Sequence, residues 1–371
     1  MDSPYAQEIK TAIIAIQSAA QLSQGILTSS DKGTISKDDL SPVTVADFAI
    51  QALLTSTLHA AFPNDGFVGE ESADELRSNE VLRTRVWELL QTLTLRPQNQ
   101  AVDVDQPKCI LPTTPEEMCD LIDLCGTGVP GGLDAGRKWV FDPIDGTKTF
   151  VRGEMYAINV ALLSGGQQVL SIVGCPTLSI EATAPVRNDT LDPKGEGCIV
   201  FAARGHGTWV RVLKKKGGAD DHEPKRVPAH ALTASKSDLR SVSCVHLLES
   251  GIDTAHEEVA ARLGVSFPGC DLLGWVPRWV VLALGLANMT TWVYKTRARH
   301  GKVWDHAGAM LLFEEVGGKI TDVDGRGIDL SVGRKMTSNY GFVAAPRALH
   351  ADVLKTVHEV LREQGKGDLL A

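Results

Sequence analysis

The C-terminal part of this 371-residue chain alternates apolar runs of two different periods, and that alternation restricts its fold most. Residues 241–247 read as a strand, 254–263 and 278–286 as helices, and 290–294 as a strand. A helix over 305–316 is then stopped by Gly317-Gly318, and 319–322 reads as a further strand. Strands and helices in turn point to a layered α/β architecture. Upstream, 139–141, 156–163, 169–174 and 198–203 read as strands of an extended sheet, and 208–213 returns after a hairpin turn at Arg204-Gly205-His206-Gly207. Two helices open the chain. Ile9, Ile13, Ile16 and Ala20 share one face of a helix over about 5–27. Thr44 and Asp47, spaced as a helix-start signal, begin a second over 45–59. Phe67-Val68-Gly69 is a short strand running into Glu70-Glu71. Residues 72–138 read as an insertion with one or two helices, one of them over 81–95. The expected division is an N-terminal α+β half, 1–164, that carries this insertion, and a C-terminal α/β half, 165–371.

Composition narrows the function. Lys and Arg total 37 against 46 Asp and Glu, a net charge of −9, which disfavours a nucleic-acid polymer as partner. The seven cysteines include no Cys-x-x-Cys pair, so neither a disulfide framework nor a zinc ribbon is expected. Met1-Asp2-Ser3-Pro4 lacks the basic start of a signal peptide, and no apolar run approaches the roughly 18 residues of a membrane helix. The expectation is a soluble, cytoplasmic protein. The basic run Lys214-Lys215-Lys216 is best read as a solvated loop.

Chemistry concentrates in the carboxylates. Asp142-Pro143-Ile144-Asp145-Gly146-Thr147 follows an apolar strand, where α/β proteins place their sites. Its proline and glycine bend the chain sharply, so both acids can converge on one point. Hard divalent cations take oxygen ligands of this kind, and Mg²⁺ adds water and substrate phosphate. The Ile144 carbonyl is a further candidate ligand, and Thr147 sets a hydroxyl beside the cluster. Glu70 closes a strand, and Asp305 in Trp304-Asp305-His306-Ala307 opens a helix. Each acid has a plainer explanation: Asp142 and Asp145 as an acidic turn, Glu71 as solvated, Asp305 as an N-cap, Asp47 as part of a capping box. Five acids, each at an element boundary, are harder to explain as five separate accidents.

Asp142-Pro-Ile-Asp-Gly-Thr147, Gly69-Glu70-Glu71-Ser72 and Trp304-Asp305-His306-Ala307 together resemble the inositol monophosphatase superfamily, from about Ile9 to Val360. Within it, Ser41-Pro42-Val43-Thr44-Val45-Ala46-Asp47, the long interval between Glu70 and Asp142, and Gly174-Cys175-Pro176-Thr177-Leu178 resemble the 3'(2'),5'-bisphosphate nucleotidases. The resemblance implies an α/β/α/β/α sandwich and a lithium-sensitive, Mg²⁺-dependent phosphomonoesterase holding two to three ions. It implies that Glu70, Asp142 and the Ile144 carbonyl hold one ion, and that Asp142, Asp145 and Asp305 hold a second. Asp47 with Glu70 supports a third, Thr147 and Asp47 orient the attacking water, and Gly146 and Thr147 bind the departing phosphate. The implied substrate is adenosine 3',5'-bisphosphate or its sulfated precursor, taken by a monomer.

The substrate segment departs from that branch. Trp275 stands where the branch has a serine, and Arg278 where it has a lysine. Arg278 is expected to bind phosphate bidentately. Trp275, Trp279 and Trp292 fit core better than a base-stacking platform, and His246, His256 and His300 have no ligand spacing. Lys148 and Arg152 suit phosphate and local charge balance equally. An inositol phosphate or other small ester is the alternative substrate, and a non-catalytic ester-binding protein the alternative class.

Overall fold

The computed structural model describes residues 3–27, 35–36, 42–43, 45–93, 108–126, 136–213, 223–232, 235–245 and 250–371. Ser41, Thr44, most of 97–115 and 126–136, the basic loop 214–218, His246 and Glu249 lie outside the described residues. Helix α1 (Ala6–Leu27) buries Ile9, Ile13, Ile16 and Ala20, the stripe expected from their spacing. The short strands β1 (Ile35–Ser36) and β2 (Pro42–Val43) pair before α2 (Val45–Ala61). After β3 (Gly66–Gly69) come α3 (Asp74–Ser78), α4 (Glu80–Gln91) and α5 (Pro115–Gly126). The last two pack on α2, and α5 also on β3. Then follow β4 (Arg137–Asp145), α6 (Thr147–Val151), β5 (Ala157–Ser164), β6 (Gln167–Cys175), β7 (Cys198–Ala203), β8 (Thr208–Val212) and β9 (Lys225–Arg226). Beyond lie β10 (Val242–Ser243), α7 (Asp253–Arg262), β11 (Cys270–Asp271), α8 (Trp275–Ala283) and β12 (Thr290–Trp292). The chain ends with α9 (Val303–His306), α10 (Ala309–Glu314), β13 (Gly318–Thr321), β14 (Phe342–Pro346) and α11 (His350–Glu363).

Strands β3 to β9 form one sheet in sequence order, with β3–β4 parallel and the other pairs antiparallel. Helices α1 and α2 cover one face and α8 and α10 the other. A second, antiparallel sheet, ordered β12-β14-β13, lies beyond α10, and α7 and α11 close the far side. The result is the expected α/β/α/β/α sandwich.

The division expected at Ser164 falls within the sheet. Ser164 pairs with Gln167 across a hairpin, so the boundary falls inside continuous β-structure. The two cores are separated by the faces of the sheet. Trp139, Phe141, Ile158 and Val160 turn toward α1 and α2, while Val140, Ala157 and Ala161 turn toward α8 and α10. Strands buried on both faces read as continuous apolar runs, which conceals this division in the sequence.

Other boundaries shift for physical reasons. The helix expected over 305–316 is two helices, because a Cβ at Gly308 would lie against Asn159 Oδ1 and the backbone approaches β5 closely there. The helix expected over 278–286 starts at Trp275, with Pro277 tolerated in its first turn. Among the described residues of the strand expected over 241–247, only Val242–Ser243 form a strand, paired with β11. Strand β14 and helix α11 extend the alternation past Asp322. Val353, Val357, Val360 and Leu361 form the buried stripe of α11.

Candidate metal centre

Parallel pairing of β3 and β4 sets Gly69 opposite Phe141. The next residues, Glu70 just past the end of β3 and Asp142 within β4, therefore lie at the same level of adjacent segments. Between Asp142 and Asp145 the β4–β5 register slips, and Gly146 turns the chain at φ 91°. Thr147 then donates its hydroxyl to Ile144 O at 3.3 Å, and Thr149 donates to Gly146 O at 2.7 Å. Helix α9 packs beside β4 and brings Asp305 to the same place.

Ligand oxygens of Asp142, Asp145 and Asp305 lie within 4.8 Å of one another. Asp142 is buried, and its Oδ1 has no hydrogen-bond partner. Burial raises the Asp142 pKa well above the usual range, and repulsion from Glu70, Asp145, Asp305 and Asp47 adds to it. Asp305 is raised by burial and then by Asp145 and Glu70. Burial pushes Asp145 up to about 7, opposed by the Val276 N–H and the Arg278 charge. Clustered anions with an orphaned buried oxygen are costly unless a cation joins them. An all-oxygen donor set of this kind suits a hard divalent ion.

The inositol monophosphatase family pattern matches residues 126–362, which include Asp142, Asp145 and Asp305. The chain belongs to the inositol monophosphatase family. Among its relatives, a 3'(2'),5'-bisphosphate nucleotidase of Emericella nidulans is 32% identical, covering 96% of this chain and 99% of that protein. One from Schizosaccharomyces pombe is 34% identical over 95% of each. A probable 3'(2'),5'-bisphosphate nucleotidase of Arabidopsis thaliana is 29% identical over 97% of each. Among solved structures, an extragenic suppressor protein from Bartonella henselae matches with a TM-score of 0.57 at 16% identity, covering 95% of this chain and 98% of that one. Inositol monophosphatase II from Staphylococcus aureus matches at 0.54 and 18%, covering 96% and 97%. These two similarities establish the fold alone.

The family's acidic cluster is held here by residues that carry no sequence motif. The amide of Gln51, on α2, donates to Glu71 O at 2.9 Å and to Ile122 O at 3.1 Å, and accepts from Glu71 N at 2.9 Å. Asp47, buried in the first turn of the same helix, is one of the charges acting on Asp142. Asn159, facing Asp142 across the β4–β5 pair, donates to Trp304 O at 2.6 Å and so anchors the Asp305 segment. The first turn of α8 meets Asp145, where Val276 N donates to Oδ2. A Cβ at Gly274 would lie 2.7 Å from that same oxygen. Nothing in residue spacing signals these contacts, because each joins segments far apart in sequence.

Arg278 is not where its expected role requires. Its guanidinium is fully buried, donating from Nε to Leu272 O and from Nη2 to Leu273 O, both at 2.8 Å. It lies 4.2 Å from the Trp275 ring centroid and 4.7 Å from that of Trp292. An arginine so enclosed acts on Asp145 through its charge and is closed to a phosphate in solvent. The Gly146 N–H is turned to the Asp145 carboxylate, so a phosphate would have to share that donor. Trp279 and Trp292 are core, as expected, while Trp275 is half-buried. His256 is buried, accepting from Val293 N, and burial lowers its pKa to about 3. Arg152 pairs with Glu154 at 2.7 Å, and Lys148 is exposed. Among the described residues there is no disulfide and no helix long and apolar enough to cross a membrane.

Proposed function

We propose that the chain is a Mg²⁺-dependent phosphomonoesterase that hydrolyses the 3'-phosphate of adenosine 3',5'-bisphosphate to AMP and phosphate, and acts likewise on 3'-phosphoadenylyl sulfate. The convergence of Asp142, Asp145 and Asp305, in a chain alike over its length to proteins named as 3'(2'),5'-bisphosphate nucleotidases, supports this reading most strongly. Glu70, Asp142 and the Ile144 carbonyl would hold one Mg²⁺, Asp142, Asp145 and Asp305 a second, and Asp47 with Glu70 a third. When bound, such ions neutralise phosphate charge and lower the pKa of a water. The protein's own part is then to position. Thr147 and Asp47 orient the attacking water, and a carboxylate accepts its proton. The backbone of Gly146 and Thr147 receives the phosphate. The reading is of a cytoplasmic monomer.

The burial of Arg278 favours a second reading, in which the same centre serves an inositol phosphate or other small ester. The test is phosphate release from adenosine 3',5'-bisphosphate beside inositol 1-phosphate and inositol 1,4-bisphosphate, with Mg²⁺ present and Asp142→Asn as the blank. Preference for the nucleotide that vanishes in the blank supports the first reading. Preference for an inositol phosphate supports the second. Ester binding without turnover in wild type sinks both and leaves a non-catalytic binding protein.

A further inference from the structure

Arg334 lies in the loop between β13 and β14, outside every motif that supplies an acid. Its backbone is tied to the segment leading into α9: Val303 N donates to Arg334 O, and Met336 N to Gly301 O, both at 3.0 Å. From that anchor the side chain crosses to the opposite half of the molecule. Nη2 donates to Gly69 O at 2.6 Å and to Glu70 O at 3.2 Å, and Nη1 donates to Cys125 O at 3.1 Å. The guanidinium carbon lies 4.6 Å from the ring centroid of Trp304, the residue before Asp305. One planar group therefore touches the turn that carries Glu70, the C-terminal turn of α5, and the neighbour of Asp305.

The Glu70 turn is gripped on its other side by Gln51, from the helix that carries Asp47. Ligand oxygens of Asp142, Asp145 and Asp305 lie within 4.8 Å of one another, and like charges this close repel, so their turns must be held by something other than mutual attraction. Arg334 holds through backbone carbonyls, which draws the chain in, and its charge also acts on Glu70. A lysine cannot reproduce this hold. Its point charge lacks the fork that reaches several carbonyls at once and the flat face that lies on an indole.

We propose that Arg334 is a positioning residue for the metal centre, tying the Glu70 turn to the Asp305 segment so that divalent-cation affinity depends on it. This rests on the reading of Glu70 and Asp305 as metal ligands. Groups behind a ligand shell typically change metal affinity about 10–100-fold when altered.

The test is Mn²⁺ binding to the full chain, followed by the electron paramagnetic resonance signal of the free ion. Wild type is compared with Arg334→Lys and with Arg297→Lys. Arg297 is a control of similar type, bound to Asp324 and Leu369 O and lying over the Tyr340 ring, none of which is a proposed ligand. The expected result is at least tenfold weaker Mn²⁺ binding for Arg334→Lys and unchanged binding for Arg297→Lys. Kinetically, the Mg²⁺ concentration giving half-maximal rate should rise while kcat at saturating Mg²⁺ stays within about threefold of wild type. Equal Mn²⁺ affinity in wild type and Arg334→Lys overturns the inference, and so does an equal loss in both variants. A wild type that binds no Mn²⁺ removes the ligand reading itself, a distinct result. Circular dichroism checks folding, and if the lysine variant does not fold, Arg334→Gln is measured in its place with the same outcomes.

Discussion

Gly69→Ala adds one methyl group to the strand end that precedes Glu70 and removes no functional group. Gly69 has ordinary backbone dihedrals, so alanine is tolerated by the chain itself and any cost arises from contact. The new Cβ would lie 2.6 Å from Gln51 Oε1, 2.8 Å from Gln51 Cδ and 2.9 Å from Cys125 Cβ. The Gln51 amide must leave, and with it go its bonds to Glu71 N, Glu71 O and Ile122 O. Each is worth about 1 kcal/mol net, and residual crowding against Cys125 adds about 1–3 kcal/mol. The expected loss is about 4–6 kcal/mol of unfolding free energy, measured by urea denaturation. Gln51→Ala alone should cost about 2–4 kcal/mol, because buried backbone groups are left unpaired. In the double variant the methyl has room, so the two costs should fall short of adding by about 2 kcal/mol. A Gly69→Ala protein within about 1 kcal/mol of wild type, or a strictly additive pair, would refute the claim that Gln51 clamps this turn.

Metal-free stability should depend on pH through Asp145, whose pKa moves from 3.8 unfolded to about 7 folded. The folded state binds more protons across that window, so this contribution is full below 3.8 and is lost as pH rises through about 7. Buried His256, neutral down to about 3, acts in the opposite sense: its contribution is full above the unfolded 6.5 and is lost as pH falls. Wild type is therefore compared with Asp145→Asn by urea unfolding in EDTA at about pH 5.5 and about pH 7.5. The variant should gain on wild type as pH rises, and parallel pH dependences would contradict the reasoning. At the other end of β4, Asp65 accepts from Arg137 at 3.0 Å and from Trp139 Nε1 at 2.9 Å. Asp65→Asn should cost about 1–3 kcal/mol, at the lower end because Arg137 is one-third exposed, while Mn²⁺ affinity stays unchanged.

Much of the centre was legible because its chemistry is carried by local pattern. In the sequence Asp142 and Asp145 read as a Pro/Gly turn after an apolar strand, and Asp305 and Glu70 as element boundaries, so residue type and position together point to a cation. The α1 stripe was equally plain from Ile9, Ile13 and Ile16. Arg278 shows where such reading fails: it identifies a charge but not the direction of the side chain. A signal was present, since α8 reads Trp-Val-Pro-Arg-Trp-Val-Val-Leu-Ala and has no polar face. A helix apolar all round is buried, and an arginine within it is buried too. Gln51 and Asn159 gave no signal, because their roles arise from register and close approach between distant segments.

The two arginines near the acids, Arg278 buried and Arg334 half-buried, share one feature that bears on how the centre works. Arg278 donates to Leu272 O and Leu273 O, and Arg334 to Gly69 O, Glu70 O and Cys125 O. Among the described residues no lysine or arginine forms an ion pair with Asp142, Asp145 or Asp305. A guanidinium paired directly with these carboxylates would hold them together more simply, and would lower their pKa. It would also occupy the oxygens that a divalent ion needs. Engaging the arginines with carbonyls keeps their positive charge within reach, as the effect of Arg278 on Asp145 shows, and leaves the carboxylate oxygens open. Assembly without a cation is then left to the carbonyl contacts of Arg334 and to Gln51, Asn159 and the N-terminal turn of α8. On the proposed reading, the repulsion within the cluster would be relieved by a cation, and that relief would contribute to its affinity for one.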